Sequence, residues 1–123
     1  MGNPAFSILG RVRSFRHAFA GIAFMLRTQH NAWLHLAATI AVCALGFELR
    51  ISAEDWRWIV VVVMLVWVSE AVNTAFEHLC DVVSPEFHAS VKRSKDVAAG
   101  AVLITAIGAA ILGAMIFLPY LRH

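Results

Sequence analysis

Three long apolar segments restrict this chain to one class of fold. They run from about residue 32 to 49, from 56 to 80 and from 97 to 121, and a helix needs roughly 20 apolar residues to cross a bilayer. Backbone polar groups cannot remain unpaired in lipid, and the segments lack the alternating pattern of barrel strands, so they are predicted to be helices. With 60% hydrophobic and only 15% charged residues, we predict an all-α integral membrane protein with three transmembrane helices.

The segment from about residue 7 to 28 is predicted to be a further helix that lies in the membrane interface. At about 100° per residue its apolar side chains form one stripe, while several basic residues lie towards the other side. Phe24 departs from this pattern. The alternative is a cytoplasmic amphipathic helix that packs on a partner. The stripe consists of Ile8, Val12, Phe15, Phe19, Ile22 and Leu26, and the basic residues are Arg13, Arg16, His17 and Arg27.

The distribution of Lys and Arg predicts the orientation in the membrane. Arginines precede the first apolar segment, and a second basic group lies between the second and third. Because such residues accumulate on cytoplasmic flanks, we expect both regions inside and the C-terminus outside. No linker or repeat divides the chain, so residues 1–123 are predicted to be one membrane domain. The second basic group is Lys92, Arg93 and Lys95, and the predicted interfacial aromatic anchors are Trp56, Trp58 and Tyr120.

Acidic and amide side chains occupy the cytoplasmic half of the second apolar segment. On a helix they form one narrow face. A carboxylate so deep in the membrane should face protein or a water-filled cleft rather than lipid. Polar residues at the start of the first and third segments reach the same membrane surface. The face consists of Glu70, Asn73, Glu77 and Asp81, and the converging residues are Gln29, Asn31, His35, Lys95 and Asp96.

This convergence predicts a site with several possible kinds of chemistry. Two or three carboxylates on one face suit a divalent metal such as magnesium, which also bridges phosphates. A buried carboxylate such as Glu70 could instead act as a general base, and Lys95 could neutralise a phosphate. One alternative is that the polar groups only join helices by hydrogen bonds. Another is a non-enzymatic ion or proton pathway through Glu70 and Glu77.

Two stretches of the sequence resemble the prokaryotic diacylglycerol kinase family. The first is ExxNTAxE, from Glu70 to Glu77, with Asp81 four residues further on, and the second is KDVAAGAVL, from Lys95 to Leu103. The resemblance extends over nearly the whole chain, beginning with AFAGIAFMLRTQHNAWLHL. The family consists of small integral-membrane lipid kinases and includes diacylglycerol kinases and undecaprenol kinases. The chain has no GxxxxGK[ST] loop, so a usual soluble nucleotide-binding framework is not expected.

The resemblance implies a homotrimer in the bacterial cytoplasmic membrane, with composite active sites that face the cytoplasm. It implies transfer of the γ-phosphoryl group of Mg-ATP to the hydroxyl of diacylglycerol or undecaprenol, with no nucleic-acid partner. By position, Glu70 resembles the general base, Asn73 an orienting residue and Glu77 a metal ligand. The remaining implied site residues are Lys95, which neutralises phosphate, and Asp81 and Asp96, which belong to the nucleotide site.

Gln29 departs from the family pattern. It stands where the family usually has a second metal-binding glutamate, and Ala32 and Trp33 replace the usual aromatic–arginine pair. An amide oxygen can ligate magnesium but contributes no charge, so metal affinity is expected to be lower. A low-activity kinase remnant is therefore an alternative. The NTA and KDxAAGAVL motifs resemble the undecaprenol kinase branch of the family more than the diacylglycerol kinase of the enteric type.

Overall fold

The computed structural model describes residues 5–122, and this part of the chain forms four helices and no strand. Helix α1 spans Ile8–Thr28, α2 spans His30–Glu48, α3 spans Ala53–Val83 and α4 spans Ala89–Leu121. The last three are long and apolar enough to cross a membrane. The predicted all-α class with three membrane-spanning helices is therefore confirmed. Interfacial placement of α1 stays a prediction; most of its large apolar side chains are exposed, while Met25 is buried.

Helix α4 begins eight residues before the apolar segment that marked it in the sequence. His88 caps its N-terminus by accepting a hydrogen bond at Nδ1 from the backbone N–H of Ser90, over 3.2 Å. The polar run that follows continues as helix because backbone hydrogen bonds need no apolar side chains, whereas hydropathy marks only the part that fits hydrocarbon. Lys95 and Asp96 consequently lie on a helix rather than on a connecting loop.

The connection from α2 to α3 is a tight Schellman turn. Arg50 adopts the left-handed conformation, with φ 52°. The N–H of Arg50 donates to the carbonyl of Phe47 and the N–H of Ile51 donates to that of Gly46, at 3.3 and 3.2 Å. These two bonds satisfy carbonyls that the helix end leaves free. The indole of Trp56 then packs over Gly46, so this predicted interfacial anchor contacts α2 instead of facing only lipid.

Helices α3 and α4 run antiparallel and are joined by polar contacts at three depths. At the C-terminal end of α4 the hydroxyl of Tyr120 donates to the carboxylate of Asp55 over 2.7 Å and accepts from the backbone N–H of Ser52. In the middle, the hydroxyls of Ser69 and Thr105 lie 2.9 Å apart. Near the N-terminal end of α4, Lys95 binds Asp81. This register fixes which residues of the two helices lie side by side. The buried core beside the Tyr120 contact consists of Ile51, Ile59, Ile116 and Phe117.

Candidate active site

Glu70 is the most deeply buried acidic side chain of the described residues. It is 1% exposed, although it lies in the middle of an apolar helix. Neither carboxylate oxygen has an aligned hydrogen bond to residues 5–122. The backbone carbonyl of Glu70 accepts a bond from the hydroxyl of Thr74, which is also buried. A buried carboxylate with free lone pairs is unfavourable for stability, so its presence points to a chemical role.

His35 is the nearest ionisable group to Glu70. Its Nε2 atom lies 3.4 Å from Oε2 of Glu70, and the histidine side chain is only 15% exposed. The sequence places His35 near the same membrane surface but assigns it no role. The contact depends on how α2 crosses α3, which neither segment reveals on its own. A detectable signal is that His35 and Thr39 occupy one face of α2, and both contact α3.

Asn73 and Glu77 lie one helical turn apart on α3, between Glu70 and the C-terminal end of that helix. The amide Nδ2 of Asn73 donates to Oε1 of Glu77 over 3.3 Å. This bond fixes the amide orientation and leaves its buried Oδ1 atom without a partner among the described residues. Free oxygen atoms of this kind on consecutive turns are the hard ligands that magnesium prefers. Their donor chemistry therefore fits a divalent cation.

Lys95 and Asp81 are brought together at the end of α3. Nζ of Lys95 lies 2.9 Å from Oδ1 of Asp81, and the two side chains are 34% and 66% exposed. Asp96 instead binds Lys92, which lies one turn earlier in α4, at 2.7 Å. Lys92 is a contact that the sequence reasoning did not identify. Both ion pairs line an open cleft beside the α3–α4 connection, together with Pro85, Phe87 and His88.

Gln29 lies between α1 and α2 and is half-buried. Its backbone is extended, and its amide donates to the hydroxyl of Thr28 over 3.5 Å. In the described part of this single chain, His, Cys, Asp and Glu do not form a cluster of three that could hold a metal. Magnesium commonly uses one or two protein carboxylates together with substrate phosphates and water, so a smaller ligand set also fits it.

Comparison with known proteins identifies the family of this chain. Residues 16–117 match the sequence model of the prokaryotic diacylglycerol kinase family. The chain is 39% identical over 109 residues to an undecaprenol kinase of Bacillus subtilis, an alignment that covers 89% of each protein. It is 38% identical over 107 residues to a diacylglycerol kinase of Synechocystis, covering 86% of this chain but 61% of that relative. The chain is thus a multi-pass membrane lipid kinase that belongs to the prokaryotic diacylglycerol kinase family.

Proposed function

We propose that this kinase transfers the γ-phosphoryl group of Mg-ATP to the hydroxyl of a membrane lipid, either undecaprenol or diacylglycerol. The observation that carries the proposal is the buried carboxylate of Glu70, whose oxygen atoms have no aligned hydrogen bond within residues 5–122. Its place in the apolar helix α3 would let a lipid hydroxyl reach it without leaving the bilayer. Phosphoryl transfer depends mainly on positioning and on neutralising charge. A placed base, a cation and a metal site supply both without a soluble nucleotide-binding fold.

Glu70 acts as the general base in this proposal. Its carboxylate accepts the proton of the lipid hydroxyl while the hydroxyl oxygen forms its bond to the γ-phosphorus; the bond from that phosphorus to the β–γ bridging oxygen breaks, and ADP leaves. Burial in α3 keeps bulk water away, which limits hydrolysis of the nucleotide. Asn73 orients the site, because its bond to Glu77 holds its amide plane and directs the free Oδ1 atom into the buried region.

Lys95 neutralises negative charge on the nucleotide phosphates. Asp81 holds its ammonium group by an ion pair, so the lysine side chain is partly ordered before nucleotide arrives. Asp96, held by Lys92, contributes to the same surface and is assigned to the nucleotide site. The half-open cleft beside these pairs is accessible to a water-soluble nucleotide, whereas Glu70 is not.

Glu77 and Gln29 are the residues proposed to hold magnesium. When bound, the ion would neutralise charge that develops on the transferring phosphoryl group. Glu77 brings a carboxylate and Gln29 an uncharged amide oxygen, so this pair is expected to bind the ion more weakly than two glutamates would. The free Oδ1 atom of Asn73 provides a further oxygen close to Glu77.

A homotrimer with shared active sites is the assembly that we propose. Along α3, Glu70 and Asp81 are separated by roughly 16 Å at the usual rise per residue, so Lys95 of the same subunit lies far from the base that its phosphate must approach. Because the subunits of a cyclic trimer lie at the same height, a neighbouring subunit leaves this distance along the membrane normal unchanged and can only add groups beside each site. Large apolar side chains also remain exposed along each membrane-spanning helix, such as Ile104 and Val72. The cytoplasmic side of a bacterial inner membrane is the proposed location of the site, with the N-terminus inside and the C-terminus outside.

The decisive experiment is phosphate transfer from labelled ATP to a lipid panel. Purified protein in mixed micelles with magnesium would be given undecaprenol and diacylglycerol separately. We place undecaprenol first because the undecaprenol kinase alignment covers both chains almost fully, although the identities to the two relatives are nearly equal. Transfer to one lipid that is lost in Glu70→Gln supports the proposal and ranks the substrates. Absence of transfer to every lipid would instead favour the kinase remnant that Gln29 raises.

A further inference from the structure

The side of Glu70 that faces α2 is occupied by a histidine at close range. Nε2 of His35 and Oε2 of Glu70 are 3.4 Å apart, and both side chains are largely enclosed. Within residues 5–122 neither atom has an aligned hydrogen bond. Two buried, mutually facing polar groups without other partners are rare in folded proteins unless they serve a purpose.

Trp67 packs against the imidazole of His35, and Thr39 bonds to the backbone of His35. Trp67 approaches the imidazole edge to face, with ring centroids 6.1 Å apart and an angle of 68°. The indole N–H of Trp67 donates to the hydroxyl of Thr39 over 3.0 Å, and that hydroxyl donates to the backbone carbonyl of His35 over 2.7 Å. We call His35, Thr39 and Trp67 the α2–α3 clamp.

The spacing of these residues ties the clamp to the proposed base. His35 and Thr39 lie one turn apart on α2, and Trp67 and Glu70 lie one turn apart on α3. Each turn therefore makes one contact with the other helix: Thr39 with Trp67, and His35 with Glu70. A shift of α2 along α3 would break both contacts together.

We infer that His35 is a positioning residue for Glu70 and that Thr39 and Trp67 hold it in register. This inference rests on the proposed role of Glu70 as the base. A small rotation of the imidazole would align an N–H on Nε2 with Oε2 of Glu70, which lies 3.4 Å away without an aligned hydrogen bond in this structure. Oε1 would then be left to accept the proton of the lipid hydroxyl. His35 keeps its own proton throughout and does not touch the substrate.

A purely structural role would give a different pattern of effects. If the clamp only joined α2 to α3, removing its contacts would lower stability without a selective loss of kcat. Thr105 offers a matched control, because its hydroxyl also bonds to its own helix and lies 2.9 Å from a hydroxyl on α3, that of Ser69. It makes no contact with the carboxylate of Glu70, so Thr105→Val tests the loss of an interhelical contact alone.

The test measures kcat, KM for ATP and thermal stability of single and double variants. His35→Leu should lower kcat by about tenfold to a hundredfold, the effect of losing one hydrogen bond to a charged group, with KM for ATP unchanged. His35→Gln, which retains an N–H donor, should recover most of the rate. Thr39→Val should give a smaller loss of kcat, and adding it to His35→Leu should give no further loss. Thr105→Val should keep the wild-type kcat.

The outcomes separate this inference from the proposed function. Full turnover in Glu70→Gln would overturn both. An inactive Glu70→Gln beside a wild-type kcat in His35→Leu would overturn the positioning role alone. Two outcomes would show that Thr39 does not act through His35. One is an equal loss of kcat in Thr39→Val and Thr105→Val, and the other is additive losses of kcat in the double variant of His35→Leu and Thr39→Val. If His35→Leu does not fold, His35→Gln and Thr39→Val replace it in the test. The inference would then be refuted if the kcat values of both variants equalled that of Thr105→Val.

Discussion

Replacing Glu70 by glutamine should separate activity from stability. The change keeps the shape of the side chain but removes its negative charge and its capacity to take a proton. General base catalysis contributes roughly 10² to 10⁴ in rate, which corresponds to about 3–5 kcal/mol of transition-state stabilisation. Because Glu70 is 1% exposed and its oxygens lack aligned partners within the described chain, the native carboxylate is itself destabilising.

The stability of this variant should therefore rise. An unsatisfied buried polar group costs about 1–3 kcal/mol, and a charged one costs more. The amide that replaces the carboxylate would still be buried, so we expect a gain of about 1 kcal/mol, or roughly 4 °C in Tm for a chain of this size. Turnover should fall at least a hundredfold while the oligomer stays intact.

The assay combines lipid phosphorylation with thermal unfolding in the same micelles. Glu48→Gln is the matched control, because Glu48 is exposed and lies at the C-terminal end of α2, whereas Glu70 contacts His35 near the N-terminal end of α2. It should change neither quantity appreciably. Wild-type turnover in Glu70→Gln would refute the base assignment. A lower Tm together with lost turnover would instead show that the carboxylate holds the fold, and the stability reasoning would be wrong.

Four further variants test the proposed metal site and the packing around the turn between α2 and α3. Glu77→Gln should raise the magnesium concentration needed for half-maximal activity severalfold or more, and an unchanged titration would count against a metal ligand there. Gly46→Ala should lower the free energy of unfolding by about 1–3 kcal/mol through overpacking, because its Cβ would lie 2.7 Å from the Trp56 ring. Gly108→Ala, which meets no atom within 4 Å, should stabilise instead, and equal effects in thermal unfolding would refute this packing argument. Arg50→Gly should raise stability by about 1 kcal/mol, since glycine adopts φ 52° without strain; a lower Tm would contradict it.

The helical class could be predicted from the sequence because lipid restricts the options so strongly. Hydropathy located α2 and α3 to within three residues at every end. It placed the start of the third segment at residue 97, whereas α4 begins at Ala89. Hydropathy measures compatibility with hydrocarbon, so it does not detect a helix that continues into water. The cap at His88 gives a local signal, but it is weak because histidine is not a favoured capping residue.

The sequence predicts which residues of one helix share a face, but it does not predict which residues of different helices contact each other. Helical periodicity places Glu70, Asn73 and Glu77 on one face, and the bond between Asn73 and Glu77 follows from their spacing. The contact of Glu70 with His35 depends on the rotation and height of α2 relative to α3. Those two quantities arise from packing across helices, which no periodicity within one segment encodes.

The order of polar groups along α3 matches the two substrates of the proposed reaction. Glu77 lies about 10 Å and Asp81 about 16 Å from Glu70 along α3, towards its C-terminal end, at the usual helical rise. Burial decreases in the same order, from a side chain that is 1% exposed to one that is 66% exposed. A lipid alcohol approaches from hydrocarbon and a nucleotide from water, so each meets the groups suited to it. With Glu70 as the proposed base, phosphoryl transfer must occur within hydrogen-bond reach of its carboxylate. The nucleotide phosphates must therefore extend from the Lys95–Asp81 end of α3 past Glu77 and Asn73 towards Glu70.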